Sequence, residues 1–248
     1  MNYHSSFQSL AAIAGFILPI FSTSASLQPQ AVAQMQSPPQ VSVNFPQSGS
    51  AGSTPSRTAG GGVRGSGSSC VTKGKDAVPL TVLMPTSNVG TTFQSDPKLF
   101  VSIPKTTAIV AEVAILDEDF NEIYVESDFP LPEQLAQNPG IAQFDLKGAN
   151  LQPNQTYIWT FALICDSRDR SRDILVEGQF QRLELDSESK AEIGQKTTLE
   201  QAKFYASQGV WIETIDLLSA LRQSHPEEWN ELLNSVGLEE LTPMPFVE

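Results

Sequence analysis

Leu151-Gln152-Pro153-Asn154-Gln155-Thr156-Tyr157-Ile158-Trp159 decides the fold. A Leu-x-Pro turn leads into an x-Tyr-x-Trp strand, the pattern of the tyrosine corner that pins a β-sandwich. Leu151, Tyr157 and Trp159 are its structural residues. In the strand that follows, Tyr157, Trp159, Phe161 and Leu163 share one face and Ile158, Thr160, Ala162 and Ile164 the other, since side chains alternate along pleated backbone. Apolar residues on both faces mark a central strand whose outer face is not meant for water.

Outward from this corner the texture is short apolar segments punctuated by turn residues, the spacing of an all-β sandwich. Seven segments are expected, at 80–84, 99–103, 108–116, 122–127, 141–146, 157–165 and 174–185. Pro85, Pro104 and Pro130 each close one, because proline gives a ladder no donor. Seven strands with the corner in the sixth predict a mainly β chain, an immunoglobulin/fibronectin III-like sandwich over residues 76–186.

After Asp186 the period changes. Thr197-Thr198-Leu199-Glu200 reads as a capping box opening a helix that Gly209 ends. A second helix runs from Val210 to Ser224 and stops at His225-Pro226, and one further helix runs from Pro226 to about Gly237. The first two have facing apolar stripes. Ala202, Tyr205, Gly209 and Pro226 fall at the offsets of a tetratricopeptide unit, so the hairpin looks like a single such repeat. With one copy only, it is expected to pack on the sandwich or to dock against another protein. The helical appendix is read as 187–241, with a tail at 242–248.

The N-terminal third differs. Leu10 to Phe21 is an apolar run too short to span a bilayer comfortably, and Ala31-Val32-Ala33 supplies an Ala-x-Ala cleavage pattern, with Ala25 as a second choice. This predicts a signal peptide at 1–33, periplasmic or secreted localisation and no transmembrane span after cleavage. Residues 34–75, rich first in Gln and Pro and then in Gly and Ser, read as a disordered tether. All 28 acidic side chains lie at or beyond Asp76, and Arg57, Arg64, Lys73 and Lys75 are the only charges before it. From residue 76 onward, 11 basic side chains face 28 acidic ones, a net of −17. Such a surface repels phosphate backbones, which argues against nucleic acid and suits basic proteins or cations. Cys70 and Cys165 are the only cysteines. In an exported chain they invite a disulfide, with two free thiols as the alternative.

Catalytic chemistry finds little in these residues. Beyond the leader the only histidine is His225, at a helix end. The chain has no Gly-x-Ser-x-Gly elbow, phosphate loop, dinucleotide fingerprint, Cys-x-x-Cys or His-Glu-x-x-His, so no catalytic residue, metal ligand or cofactor is assigned. Asp117, Asp119 and Asn121 match the first ligands of a calcium loop. Glu122 stands where that loop needs glycine, and a hairpin turn explains the same residues. The charged loop 166–173, with Arg168 and Arg170, is either self-satisfied or a recognition loop.

The chain resembles the cyanobacterial family DUF 928, a domain of unknown function. The residues that carry the likeness run from about Gly65 to Leu241: Gly65 with Cys70, Pro79-Leu80-Thr81, Asp96 to Phe100, Leu151 to Trp159, Cys165, Val176-Glu177-Gly178, Tyr205-Ala206 and Gly209-Val210-Trp211. The resemblance implies an exported cyanobacterial protein and no mechanism. The expected function is therefore non-enzymatic: a protein-interaction module of the envelope, with Tyr205, Trp211, Arg168 and Arg170 as its partner surface. A glycan-binding sandwich and a carboxylate-based hydrolase are the alternatives.

Overall fold

The corner forms as its residues require. In the computed structural model, which describes residues 42–46, 70–72 and 78–248, the Tyr157 hydroxyl accepts a hydrogen bond from the backbone N–H of Gln152 at 2.8 Å. Leu151 and Trp159 are fully buried. Asn154 takes a φ of 59°, a left-handed conformation that asparagine tolerates better than most residues. The leader at 1–33 and most of the tether lie outside the described residues.

Among the described residues eight strands form: β1 (Thr81–Val82), β2 (Val89–Thr92), β3 (Lys98–Ile103), β4 (Val110–Leu116), β5 (Glu122–Pro130), β6 (Gly140–Asp145), β7 (Gln155–Leu163) and β8 (Ile174–Arg182). They make a three-stranded sheet in the order β1-β3-β6 and a five-stranded sheet in the order β2-β8-β7-β4-β5. The count of seven is thus corrected to eight. The strand that the pattern misses is β2, Val-Gly-Thr-Thr, which has one large apolar residue and pairs parallel to the distant β8. The other pairings are antiparallel.

The two sheets meet through aromatic rings: Phe144 of β6 packs at a tilt against Phe161 of β7, centroids 4.9 Å apart, and edge-on against Phe129 of β5 at 5.3 Å. On β7 the inward residues are buried, while Ile158 and Thr160 on the outer face are half-buried. Strand β3 is buried from Leu99 to Ile103 without alternation, because it is covered on both sides. Lys98, Phe100 and Ser102 turn away from the five-stranded sheet. Lys98 Nζ pairs with Asp216 at 2.7 Å, Phe100 lies edge-on to Phe246, and Ser102 Oγ donates to Met244 Sδ.

The covering layer is helical: α1 (Ser187–Ile193), α2 (Thr198–Ser207), α3 (Trp211–Leu221) and α4 (Pro226–Ser235). The capping box of Thr197 and Glu200 opens α2 as expected. Gly209, at a φ of 69°, makes the turn into α3. Two helices accompany the hairpin rather than one. The addition is α1, whose N-cap Asp186 accepts from the N–H groups of Glu188 and Ser189, a device that satisfies otherwise orphaned donors.

Trp211 is fully buried. Its indole N–H donates to the carbonyl of Leu83 at 2.9 Å, and its backbone N–H donates to Thr91 Oγ1. It therefore belongs to the core, which corrects its place in the expected partner surface. Apolar residues of both sheets and of α2, α3 and α4 make one continuous cluster.

Cys70 and Cys165 are joined by a disulfide, with Cα atoms 5.2 Å apart. The carbonyl of Cys70 accepts from Thr106 Oγ1 and the Thr107 N–H, which fastens residues 70–72 to the segment leading into β4. A second piece of the stretch read as tether is also seated: Val43 is fully buried and Phe45 is 8 % exposed. Composition hides this, because two apolar side chains among prolines and glutamines leave the average polar. Among the described residues, no helix is long and apolar enough to cross a membrane.

Candidate functional site: the cleft at the β6 edge

β6 reads Gly140-Ile141-Ala142-Gln143-Phe144-Asp145, with polar and apolar residues alternating after Ile141. It is the last strand of its sheet, and the register places Leu99 opposite Phe144, Val101 opposite Ala142 and Ile103 opposite Gly140. On β3 the carbonyl of Phe100 accepts from Leu83 on the β1 side, so Leu99, Val101 and Ile103 turn their main-chain groups toward β6. By the alternation of antiparallel ladders, Phe144, Ala142 and Gly140 answer them, and the N–H and C=O groups of Ile141, Gln143 and Asp145 point out of the sheet.

Ile141 is satisfied by the C-terminal tail. Its N–H donates to the carbonyl of Pro245 at 2.8 Å, and its carbonyl accepts from Val247 at 2.9 Å, a parallel bridge between Ile141 and Phe246. The tail fits closely because Gly140 has no side chain: a Cβ there would lie 2.6 Å from Val247. Beyond the tail, the outward groups of Gln143 and Asp145 face a cleft of about 740 Å³, within the size range of small-ligand and peptide sites.

Three walls enclose the cleft. Tyr124, Glu126 and Phe129 come from β5, Asp216 and Ser219 from α3 with Arg222 at its C-terminal cap, and Phe246 and Glu248 from the tail. Arg222 lies 4.0 Å from the Phe246 ring centroid, a cation–π contact, and its guanidinium donates to the carbonyl of Ser219. Lys98 is held by Asp216, and the Gln143 amide donates to Asp145 at 3.0 Å. Burial pushes the Tyr124 hydroxyl above its ordinary pKa, and the negative charges of Glu126 and Asp96 add to the effect.

The residues singled out from sequence do not converge here. Tyr205 is half-buried and touches Phe93 and Phe204. Arg170 is clamped by Glu112 at 2.9 Å and by Asp173, and these partners raise its pKa further while that of Glu112 falls. Arg172 reaches Asp166, and the side chain of Arg168 is 91 % exposed. The loop thus satisfies most of its own charge.

Asp117 accepts from the N–H groups of Asp119 and Asn121 and from the Asn121 side-chain amide. Those bonds, the Asn121 amide first, hold its carboxyl below the ordinary range, so its acceptor capacity is taken up by the hairpin turn. Among the described residues, no three His, Cys, Asp or Glu side chains are placed to hold a metal ion. The carboxyl that burial pushes upward, Glu213, lies outside the cleft. It accepts from the Phe93 N–H at 2.7 Å and from Thr92 Oγ1.

Sequence reasoning passed over Gln143, Asp145, Lys98, Asp216 and Arg222. One signal was present: two polar residues alternating with apolar ones in the fifth expected strand, the mark of an edge with a wet face. The rest of the cleft comes from elements far apart in the chain. The model of a family described as Domain of Unknown Function (DUF928) matches residues 59–246. No curated protein and no solved structure matches the chain.

Proposed function

The chain belongs to the DUF928 family, whose description assigns no activity, and on that premise we propose that the protein is a non-enzymatic, exported binding module that takes an extended peptide along the free edge of β6. One observation carries this: the outward main-chain groups of Gln143 and Asp145 continue an edge on which Pro245–Val247 is already seated. Strand addition of this kind draws affinity from main-chain hydrogen bonds and specificity from pockets for alternate side chains. Phe129 and Phe246 offer such pockets, and Glu126 and Asp145 favour a basic peptide, in keeping with the acidic charge of the chain beyond residue 75.

Export is supported by the short apolar leader with its small-residue cleavage pattern and by the disulfide, which persists in oxidising compartments. The family resemblance adds a cyanobacterial envelope as its setting. The Tyr157 corner supports an immunoglobulin/fibronectin III-like ancestry with one added parallel strand, and the contact between α2 and α3 suits a single tetratricopeptide-like hairpin.

A peptide array followed by amide-resolved NMR tests the proposal. Bound peptide is expected to shift and protect the amides of Gln143 and Asp145, and Gln143→Pro, which removes an outward donor without touching the β3 ladder, should abolish binding. Peptides that shift other amides, or binding unchanged in Gln143→Pro, would overturn it. A glycan is the second reading, favoured by the Tyr124 ring beside Glu126 in the same cleft. Glycan-array binding lost on Tyr124→Ala, with no peptide binder found, would select it.

A further inference from the structure

Residues 34–69 contain one apolar alternation, Val41, Val43 and Phe45, set among Gln, Pro, Ser and Gly. A short apolar island in such a background is the form of a linear recognition segment. Its described part, residues 42–46, alternates exposed and buried side chains, the pattern of an extended segment, and lies against α4 and the start of α3. Phe45 meets Trp211 edge-to-face, with centroids 5.0 Å apart at 85°, and Val43 is fully enclosed.

The main chain of the segment is read by two side chains of one helix. The N–H of Val43 donates to Glu231 Oε2 at 3.3 Å, and the N–H of Phe45 donates to Ser235 Oγ at 3.1 Å. Glu231 also accepts from the Ser42 hydroxyl and from the Asn44 side-chain amide. The spacing explains why this works. Two residues of extended chain advance roughly 6.6–6.8 Å, and four residues of α-helix advance about 6 Å, so acceptors at i and i+4 on α4 fall in step with donors at alternate residues of a strand. The side chains of Val43 and Phe45, two residues apart, then point the same way into the apolar seat, while Asn44 between them stays exposed.

From this geometry we infer that the face of α4 bearing Glu231 and Ser235, with Trp211 at its base, is a recognition site for an extended Val-x-Phe peptide, and that residues 42–46 are its internal ligand. The inference concerns a different face from the β6 cleft and stands without it. A second polypeptide presenting the same apolar-x-aromatic pattern in extended form would take the same seat by displacing the chain's own segment.

The test uses a fluorescein-labelled peptide of residues 40–47 titrated against the full chain and followed by anisotropy. Wild-type protein, whose seat is filled, is expected to bind at least tenfold more weakly than Val43→Ser/Phe45→Ser protein. Adding Glu231→Ala to the emptied variant, or replacing Phe45 of the peptide by alanine, should abolish binding. An emptied variant that unfolds cooperatively yet ignores the peptide, or binding indifferent to Glu231→Ala, would overturn the inference. Should the emptied variant fail to fold, wild-type chain carrying a protease site inserted after Gly60 replaces it. After cleavage the N-terminal fragment should stay bound and be released by excess peptide, and its departure on cleavage alone would count against the site. A concentration-dependent dimer lost on Phe45→Ser would support the same seat, filled by a second copy.

Discussion

Gly178 of β8 lies directly beneath the indole of Trp159, its cross-strand partner in β7, and a Cβ at Gly178 would stand 2.3 Å from Trp159 Cζ2. The ring fills the place that a side chain would take and is itself fully buried. Gly178→Ala is therefore expected to destabilise the protein by roughly 1–3 kcal/mol, the range for overpacking a tight core. Chemical denaturation checks it. Trp159→Phe should recover part of the loss in the double variant, because the smaller ring vacates the clash and also removes an indole N–H that has no partner among the described residues.

Tyr157→Phe removes the acceptor of the Gln152 N–H while keeping the ring. The expected cost is about 1 kcal/mol, that of one hydrogen bond in a partly buried setting. Equilibrium unfolding measures it, and amide exchange at Gln152 should accelerate more than at residues of β7.

Reducing the Cys70–Cys165 bridge opens a loop whose ends are 95 residues apart. The chain-entropy relation gives about 4 to 5 kcal/mol for a loop of that length. Cys70→Ser/Cys165→Ser protein should show a denaturation midpoint lower than that of oxidised wild type, and equal to that of wild type held in reductant.

Glu213 sets a pH dependence of unusual sign. Burial pushes its carboxyl above the ordinary carboxylate range, against the opposing bonds from Phe93 and Thr92. An acid whose folded-state pKa is raised binds more protons folded than unfolded, so its contribution is fully present below the unfolded pKa and is lost as pH rises through the folded one. Asp96 and Glu112 run the other way: their carboxyls are lowered, chiefly by the Ser95 hydroxyl and by Arg170, and their contributions are lost as pH falls. Glu213→Gln should keep the Phe93 bond and abolish the decline. Melting temperatures of variant and wild type should diverge in favour of the variant as pH rises above about 4.3, the ordinary glutamate value.

The corner was legible because its parts are near neighbours in sequence: Leu151, Pro153 and Tyr157 specify turn and strand through local sterics and a bond five residues long. The Thr197 capping box was legible for the same reason. Family membership was visible in the order of Pro79-Leu80-Thr81, Asp96-Pro97, Leu151 to Trp159 and Gly209-Val210-Trp211. Two cysteines in a chain read as exported invited the pairing of Cys70 with Cys165 but left two free thiols open, and the structure shows the bridge.

β2 was not legible, because Val89-Gly90-Thr91-Thr92 has little apolar pattern and becomes a strand by pairing with residues 179–182. Trp211 looked like a surface anchor because a helical stripe announces that it will be covered without saying by what. Leu83, Thr91 and Phe45 cover it, from segments more than a hundred residues away.

The amino-acid order alone settled most of the segments that extend or coil, β2 and α1 excepted, since those choices are made largely by dihedral preferences and contacts within a few residues. Only the folded chain decided that β6 ends a sheet with the outward main-chain groups of Gln143 and Asp145 unpaired, that three distant elements wall a cleft around them, and that Val43 and Phe45 leave the tether for a seat on α4. Each depends on contacts between residues distant in sequence, whose energies exist only once the whole chain has closed.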